Sequence, residues 1–153
     1  DESSWARGQA WGLYGYTEAY MQTGKKEFLE QAKYIANYII THKSIPNDNV
    51  PYWDYNAKST EQIPRDASAA AIVASALLDL QTIDVDNKKK YLDYTETILR
   101  NLSSNKYMAA EGKNGGFILK HSVGNFHENN ETNAPLNYAD YYFLEALIKW
   151  NNN

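Results

Sequence analysis

Arg7 and Trp11 lie four residues apart, the spacing that puts two side chains one turn apart on the same face of a helix. Gln9 falls between them and points elsewhere, near the helix mouth. An arginine offers a planar fork that matches a carboxylate, and a tryptophan offers a flat face for the C–H side of a sugar ring. A glutamine both donates to and accepts from hydroxyls. The three types together fit recognition of an acidic sugar. They also fit a plainer role, with Trp11 a core ring and Arg7 a cap or structural pair. Gly8, Gly12 and Gly15 tip the balance toward a site. Each glycine costs roughly 1 kcal/mol relative to alanine inside a helix, so three at i, i+4 and i+7 imply close backbone approach by a neighbour or a ligand.

A second cluster runs Pro51-Tyr52-Trp53-Asp54-Tyr55 and then Pro64-Arg65-Asp66-Ala67-Ser68. Asp66, with a proline just ahead and an alanine-rich run behind, reads as a helix N-cap. Arg65 sits where a repeat of the first helix mouth would place it, so Arg65, Arg7 and Gln9 are expected to rim one cleft. Trp53 is either a stacking platform there or a packed loop ring. Asp54, Asp66 and Asp140 are carboxylates near aromatics, but spacing gives none of them the facing partner that a glycosidase uses. His121, His127 and Glu128 lack a metal-ligand spacing, so no metal site is expected. No phosphate-cradling glycine loop or nucleophile elbow is present.

The elements that must carry these residues are helices. Residues 6–22 are apolar nearly all round and end at Gly24, so this helix should be buried on several sides. Residues 25–42 place Phe28, Ala32, Ile35, Ala36, Ile39 and Ile40 on one stripe, as in a surface helix. The couplet then recurs. Residues 66–81 hold six alanines with Ile72, Val73, Leu77 and Leu80, and residues 88–103 put Tyr91, Leu92, Thr95, Ile98, Leu99 and Leu102 on one face. Ile35 aligns with Ile98, an offset of 98 − 35 = 63 residues and a weak internal repeat. A fifth helix, residues 137–150, has no outer partner, which makes two and a half hairpins. Stacked hairpins cover one another's apolar faces, so an array broken in mid-repeat should need cover from further sequence or another chain. The connections 43–65 and 104–136 are long enough to be functional, and residues 116–121 are expected to form a short strand.

Composition narrows the function further. With 15 basic and 19 acidic residues the formal charge is −4, spread along the chain, which argues against nucleic acid as a partner. No apolar run approaches the roughly 18 to 20 residues of a membrane span. The absence of cysteine excludes disulfides and thiolate metal sites and leaves the compartment open between cytoplasm, periplasm and the outside of the cell, since a secreted bacterial protein can also lack cysteine. Aromatic surface is mostly amphipathic: 13 Tyr and 4 Trp against 4 Phe, which suits half-wet clefts.

Four segments carry a resemblance: Trp5-Ala6-Arg7-Gly8-Gln9-Ala10-Trp11-Gly12-Leu13-Tyr14-Gly15, Tyr52-Trp53-Asp54, Pro64-Arg65-Asp66-Ala67-Ser68-Ala69-Ala70-Ala71, and Tyr138-Ala139-Asp140-Tyr141-Tyr142-Phe143-Leu144-Glu145-Ala146. In order and spacing the chain resembles the C-terminal half of the unsaturated glucuronyl hydrolases, glycoside hydrolase family 88. The related unsaturated rhamnogalacturonyl hydrolases, which share the fold, are the nearest alternative. The resemblance implies an all-α protein whose helical hairpins form about half of an (α/α)6 toroid, with residues 1–153 a single C-terminal portion of that barrel. It also implies an activity. An aspartic acid protonates the C4=C5 double bond of a Δ4,5-unsaturated uronic acid, water adds at C5, and the hemiketal opens to release the sugar behind it. Arg7 and Trp11 match positions that line the uronate; Gln9, Trp53 and Arg65 complete the expected substrate-binding set. The family's two essential aspartates belong to the N-terminal half, so this chain is expected to supply walls, hold no catalytic residue or cofactor, and be inactive alone. Its expected partners are an unsaturated oligosaccharide and the missing half, or another chain, laid over the open hairpins. A non-catalytic helical-hairpin binding scaffold is the rival from another class.

Overall fold

A computed structural model describes residues 2–57, 63–128 and 130–153. Among these residues five α-helices appear in chain order: α1 (Ala6–Thr23), α2 (Lys26–Thr41), α3 (Ala67–Ile83), α4 (Lys88–Leu102) and α5 (Asn137–Asn151). One two-stranded antiparallel sheet joins them, formed by β1 (Ser122–Asn125) and β2 (Asn130–Ala134). The chain is mostly helical, as expected, with this small sheet added.

The helix ends have local causes. α1 stops at Gly24, whose φ of 67° is the left-handed conformation that glycine adopts without penalty; its N–H closes on Tyr20 O at 2.7 Å. α3 starts at Asp66, whose carboxylate accepts from the backbone N–H groups of Ser68 and Ala69 at 3.0 and 3.3 Å, the N-cap read from the sequence.

α3 is the centre of the molecule. Ala67 through Leu78 are all buried, and the helix packs against α1, α4 and α5. Its alanines let these neighbours come close, while Ile72, Leu77 and Leu80 fill the space between. α2 lays Ala32, Ile35, Ala36 and Ile39 on α1, and α4 lays Tyr91, Tyr94, Ile98, Leu99 and Leu102 on α3. Inner helix therefore alternates with outer helix.

Two expectations need correction. α1 is buried along Ala6, Ala10, Leu13 and Thr17 but leaves Tyr16 and Met21 exposed, so within this chain it is covered on one side and not on several. α5 likewise exposes Tyr141, Leu144 and Ile148. The strand expected at residues 116–121 forms instead at Ser122–Asn125. Gly115 and Gly116 turn with positive φ at the start of that run, and His121 ends it with φ of 65°. Between them the N–H groups of Ile118 and Leu119 both donate to the Asp140 carboxylate at 2.8 Å. Those donors are spent on α5, so no ladder forms there beyond the single Met108–Leu119 bridge.

Candidate functional site

The mouths of α1 and α3 are tied together by short stretches of extended backbone. Residues 51–55 lie between residues 4–6 and 64–66, with antiparallel bridges Trp5–Asp54 and Tyr52–Arg65. Ala6 N donates to Trp53 O and Tyr55 N to Ser4 O, both at 2.9 Å; Trp53 N reaches Pro64 O at 3.1 Å and Asp66 N reaches Pro51 O at 2.9 Å. The buried Asp54 carboxylate locks the corner by accepting from Ser4 N at 3.1 Å, Asn56 N at 2.7 Å and the Ser3 hydroxyl at 2.5 Å. It is a structural carboxylate.

Arg7 lies beneath this platform with its side chain only 6% exposed. Nη1 pairs with Asp66 Oδ2 at 3.1 Å and also meets Ser68 Oγ at 3.4 Å and the Val123 carbonyl, while Nη2 donates to the Gly124 carbonyl at 2.8 Å. The guanidinium carbon stands 4.8 Å from the Trp5 ring centre and 5.3 Å from that of Tyr138. Burial pushes the fully enclosed Asp66 carboxyl above its ordinary value, with Arg7 and then Ser68 pulling the other way. Nε and one Nη2 hydrogen of Arg7 have no partner among the described residues.

Trp11, one turn on, shares the Arg7 face as the spacing requires. Its half-buried ring meets Tyr142 edge-on at 5.1 Å and Tyr138 at 6.4 Å, and Tyr14 continues the wall by meeting Tyr142 at 5.2 Å. Trp53 stacks on Phe126 with centroids 4.3 Å apart and planes 17° apart, and His127 meets its edge at 5.3 Å. Beside the stack is a cleft of about 380 Å³ lined by Ser3, Trp5, Trp53, Gly124, Phe126 and His127. Gln9 is half-buried at the same helix mouth, and its amide has no hydrogen-bond partner among the described residues.

Of the expected substrate-binding residues only Trp53 lines this cleft, and Arg65 is turned away from Arg7 and Trp11 altogether. It turns to Asp48, which it holds through both Nη atoms at 3.0 Å, donates to the Val50 carbonyl and lies 5.0 Å from the Tyr52 ring centre. Lys106 and the Tyr107 hydroxyl complete the cluster at 2.6 and 2.9 Å. Burial alone would raise the Asp48 carboxyl; hydrogen bonds from Arg65, Lys106 and Tyr107 outweigh it and hold the group at about 2. Alternation along the extended segment accounts for the split: neighbours Arg65 and Asp66 face opposite ways, so only Asp66 meets Arg7. Asp140 holds residues 118 and 119, so Asp54, Asp66 and Asp140 are all committed to the fold. Among the described residues no group of three His, Asp or Glu side chains is placed to hold a metal ion, and no helix is long and apolar enough to cross a membrane.

No family model matches the sequence. A relative from Formosa agariphila, an unsaturated glucuronyl hydrolase, is 48% identical over 98% of this chain and 37% of its own length. The chain belongs to the unsaturated glucuronyl hydrolase family. A second family relative, the unsaturated chondroitin disaccharide hydrolase of Streptococcus agalactiae, is 35% identical over 98% of the chain and 38% of its own length. Among solved structures, an unsaturated glucuronyl hydrolase specific for heparin superposes with a TM-score of 0.94 at 54% identity, covering 99% of this chain and 40% of that one. The Streptococcus agalactiae enzyme, as a substituted form complexed with dGlcA-GalNAc6S, superposes at 0.88 with 35% identity over 98% of this chain and 40% of its own. The chain thus spans about two fifths of the length of these unsaturated glucuronyl hydrolases and matches their C-terminal part.

Trp5 and Phe126 line the cleft and Tyr138 stands over Arg7; Trp5 and Tyr138 fall within the resembling segments without a role assigned by spacing, and Phe126 is not marked at all. Trp5 precedes the helix and therefore has no place in its periodicity. Phe126 arrives through the β1–β2 turn, and the segment 122–134 has no alternating apolar pattern to announce a hairpin. Of the three glycines in α1, two meet close neighbours: a Cβ on Gly8 would lie 2.8 Å from the Trp5 ring, and one on Gly12 would lie 3.2 Å from Ile35. Gly15 faces open space, so close approach does not account for it.

Proposed function

We propose that this chain forms a substrate-binding wall of an enzyme that hydrolyses oligosaccharides ending in a Δ4,5-unsaturated uronic acid. Trp11 and Trp53 would offer ring faces and Gln9 an unpaired amide, while Arg7, enclosed beneath them and spent on Asp66 and two backbone carbonyls, would act through the segments it holds. Arg65, bound to Asp48, would act only from behind, by holding the strand that carries Trp53. The observation that carries this reading is the cleft itself: an aromatic-lined hollow at the common mouth of α1 and α3, in a chain 48% identical to an unsaturated glucuronyl hydrolase.

The chemistry is a hydration. A proton adds to C4, water adds to C5, and the hemiketal so formed opens to expel the neighbouring sugar. In this reading the proton donor comes from outside the chain, because Asp54, Asp66 and Asp140 are each held by the fold's own donors. The relatives' greater length supports that division, with the remainder of a barrel laid over the exposed faces of α1 and α5. The complete gene product should consume the ring double bond of an unsaturated uronyl disaccharide, followed as loss of ultraviolet absorbance, and leave the saturated analogue intact. Cleavage of both at similar rates would point to ordinary glycoside hydrolysis and remove this assignment.

A further inference from the structure

We infer that Arg7 is a positioning residue: its guanidinium clamps the β1–β2 hairpin onto the mouths of α1 and α3 and so sets the shape of the cleft that Trp53 and Phe126 line. The inference concerns the same cleft and, where it predicts kinetics, rests on the function proposed above.

A two-stranded hairpin is marginal by itself, and this one has little apolar surface to bury. β2 is Asn-Glu-Thr-Asn-Ala with no fully buried residue, and Val123 is the only large apolar side chain of the pair that is enclosed. What fastens it is polar. Ala67 N at the start of α3 donates to His121 O at 3.1 Å, and Arg7 binds the next two carbonyls but one, those of Val123 and Gly124. The arginine is itself fixed, paired to the α3 cap Asp66 and flanked by the Trp5 and Tyr138 rings. α1, α3 and β1 therefore converge on one cation. Position 124 must be glycine for the strands to close here, since a Cβ there would lie 2.6 Å from the Glu131 Cβ. Two residues beyond Gly124, Phe126 lands on Trp53.

A guanidinium reaches the carboxylate and the two carbonyls from two separate nitrogens in a fixed plane; a lysine ammonium offers all its donors from one atom and does not match that spread. Arg7→Lys should therefore keep the buried charge matched and lose the clamp. In this chain, amide hydrogen exchange at residues 123–125 and 130–132 should accelerate by about tenfold or more in Arg7→Lys, while α4 amides keep their rates. Unchanged hairpin protection would overturn the inference. If the lysine variant fails to fold, the pair Arg7→Gln with Asp66→Asn leaves no buried charge unmatched and should show the same loosening.

Kinetics of the complete gene product separate clamping from direct contact with substrate. If Arg7 acts through the hairpin, Arg7→Lys and Phe126→Ala should each raise KM about fivefold with little change in kcat, and the double variant should be no worse than either. Additive losses would assign Arg7 to the substrate instead. Should the wild-type gene product not turn over unsaturated disaccharides at all, the proposed function falls while the exchange result still decides the clamp.

Discussion

Asp66 serves two partners at once, capping α3 through Oδ1 and pairing with Arg7 through Oδ2. Loss of a cap alone costs about 1 kcal/mol, but Asp66→Ala would also strand a buried guanidinium, a loss of about 3–5 kcal/mol. Denaturant unfolding of Asp66→Ala should show the larger figure, and a loss near that of a surface cap would mean that Arg7 finds other solvation. The cap was legible in the sequence because caps are local. The pair was not, because its members are 59 residues apart and meet only once α1 and α3 are side by side. Asp48 makes a pH prediction. Its folded value of about 2 lies below the ordinary 3.8, so the unfolded chain binds the proton more tightly. The resulting stability is complete above about pH 4 and is lost as pH falls toward 2. Asp48→Asn should flatten that part of the acid-unfolding curve; an unchanged pH dependence would show that Arg65, Lys106 and Tyr107 do not hold the carboxylate in solution.

At the scale of elements, the five helices could be read because each is a continuous apolar or amphipathic run and two carry an end signal, Gly24 and Asp66. The inner and outer roles followed from how much of each helix is apolar, and α3 is the clearest case. Leu77 is fully enclosed among its neighbours, so Leu77→Ala should cost about 2–5 kcal/mol. Thermal unfolding checks this, and a cost below about 1 kcal/mol would mean that the site collapses around the smaller side chain. The hairpin stayed hidden for the opposite reason. Its strands are polar, its turn has no two-residue signature, and its fastening comes from the arginine of a helix more than a hundred residues earlier. Residues 116–121 have a more strand-like composition, yet Asp140 of α5 takes their backbone donors.

For the whole molecule, helices α1 and α5 present Tyr16, Met21, Tyr141, Leu144 and Ile148 to solvent on either side of a well-filled centre. In the proposed reading these exposed apolar side chains on two inner helices, in a family whose compared members are about two and a half times as long, would be covered by further helices of the same barrel. The proposed division of labour puts the wall here and the acid elsewhere. The most direct measurement sets this chain beside its complete gene product on one unsaturated uronyl disaccharide, following loss of the ring double bond by absorbance. The account predicts turnover by the complete protein and none by residues 1–153; turnover by residues 1–153 alone would contradict it and require a proton donor among the carboxylates placed here in the fold.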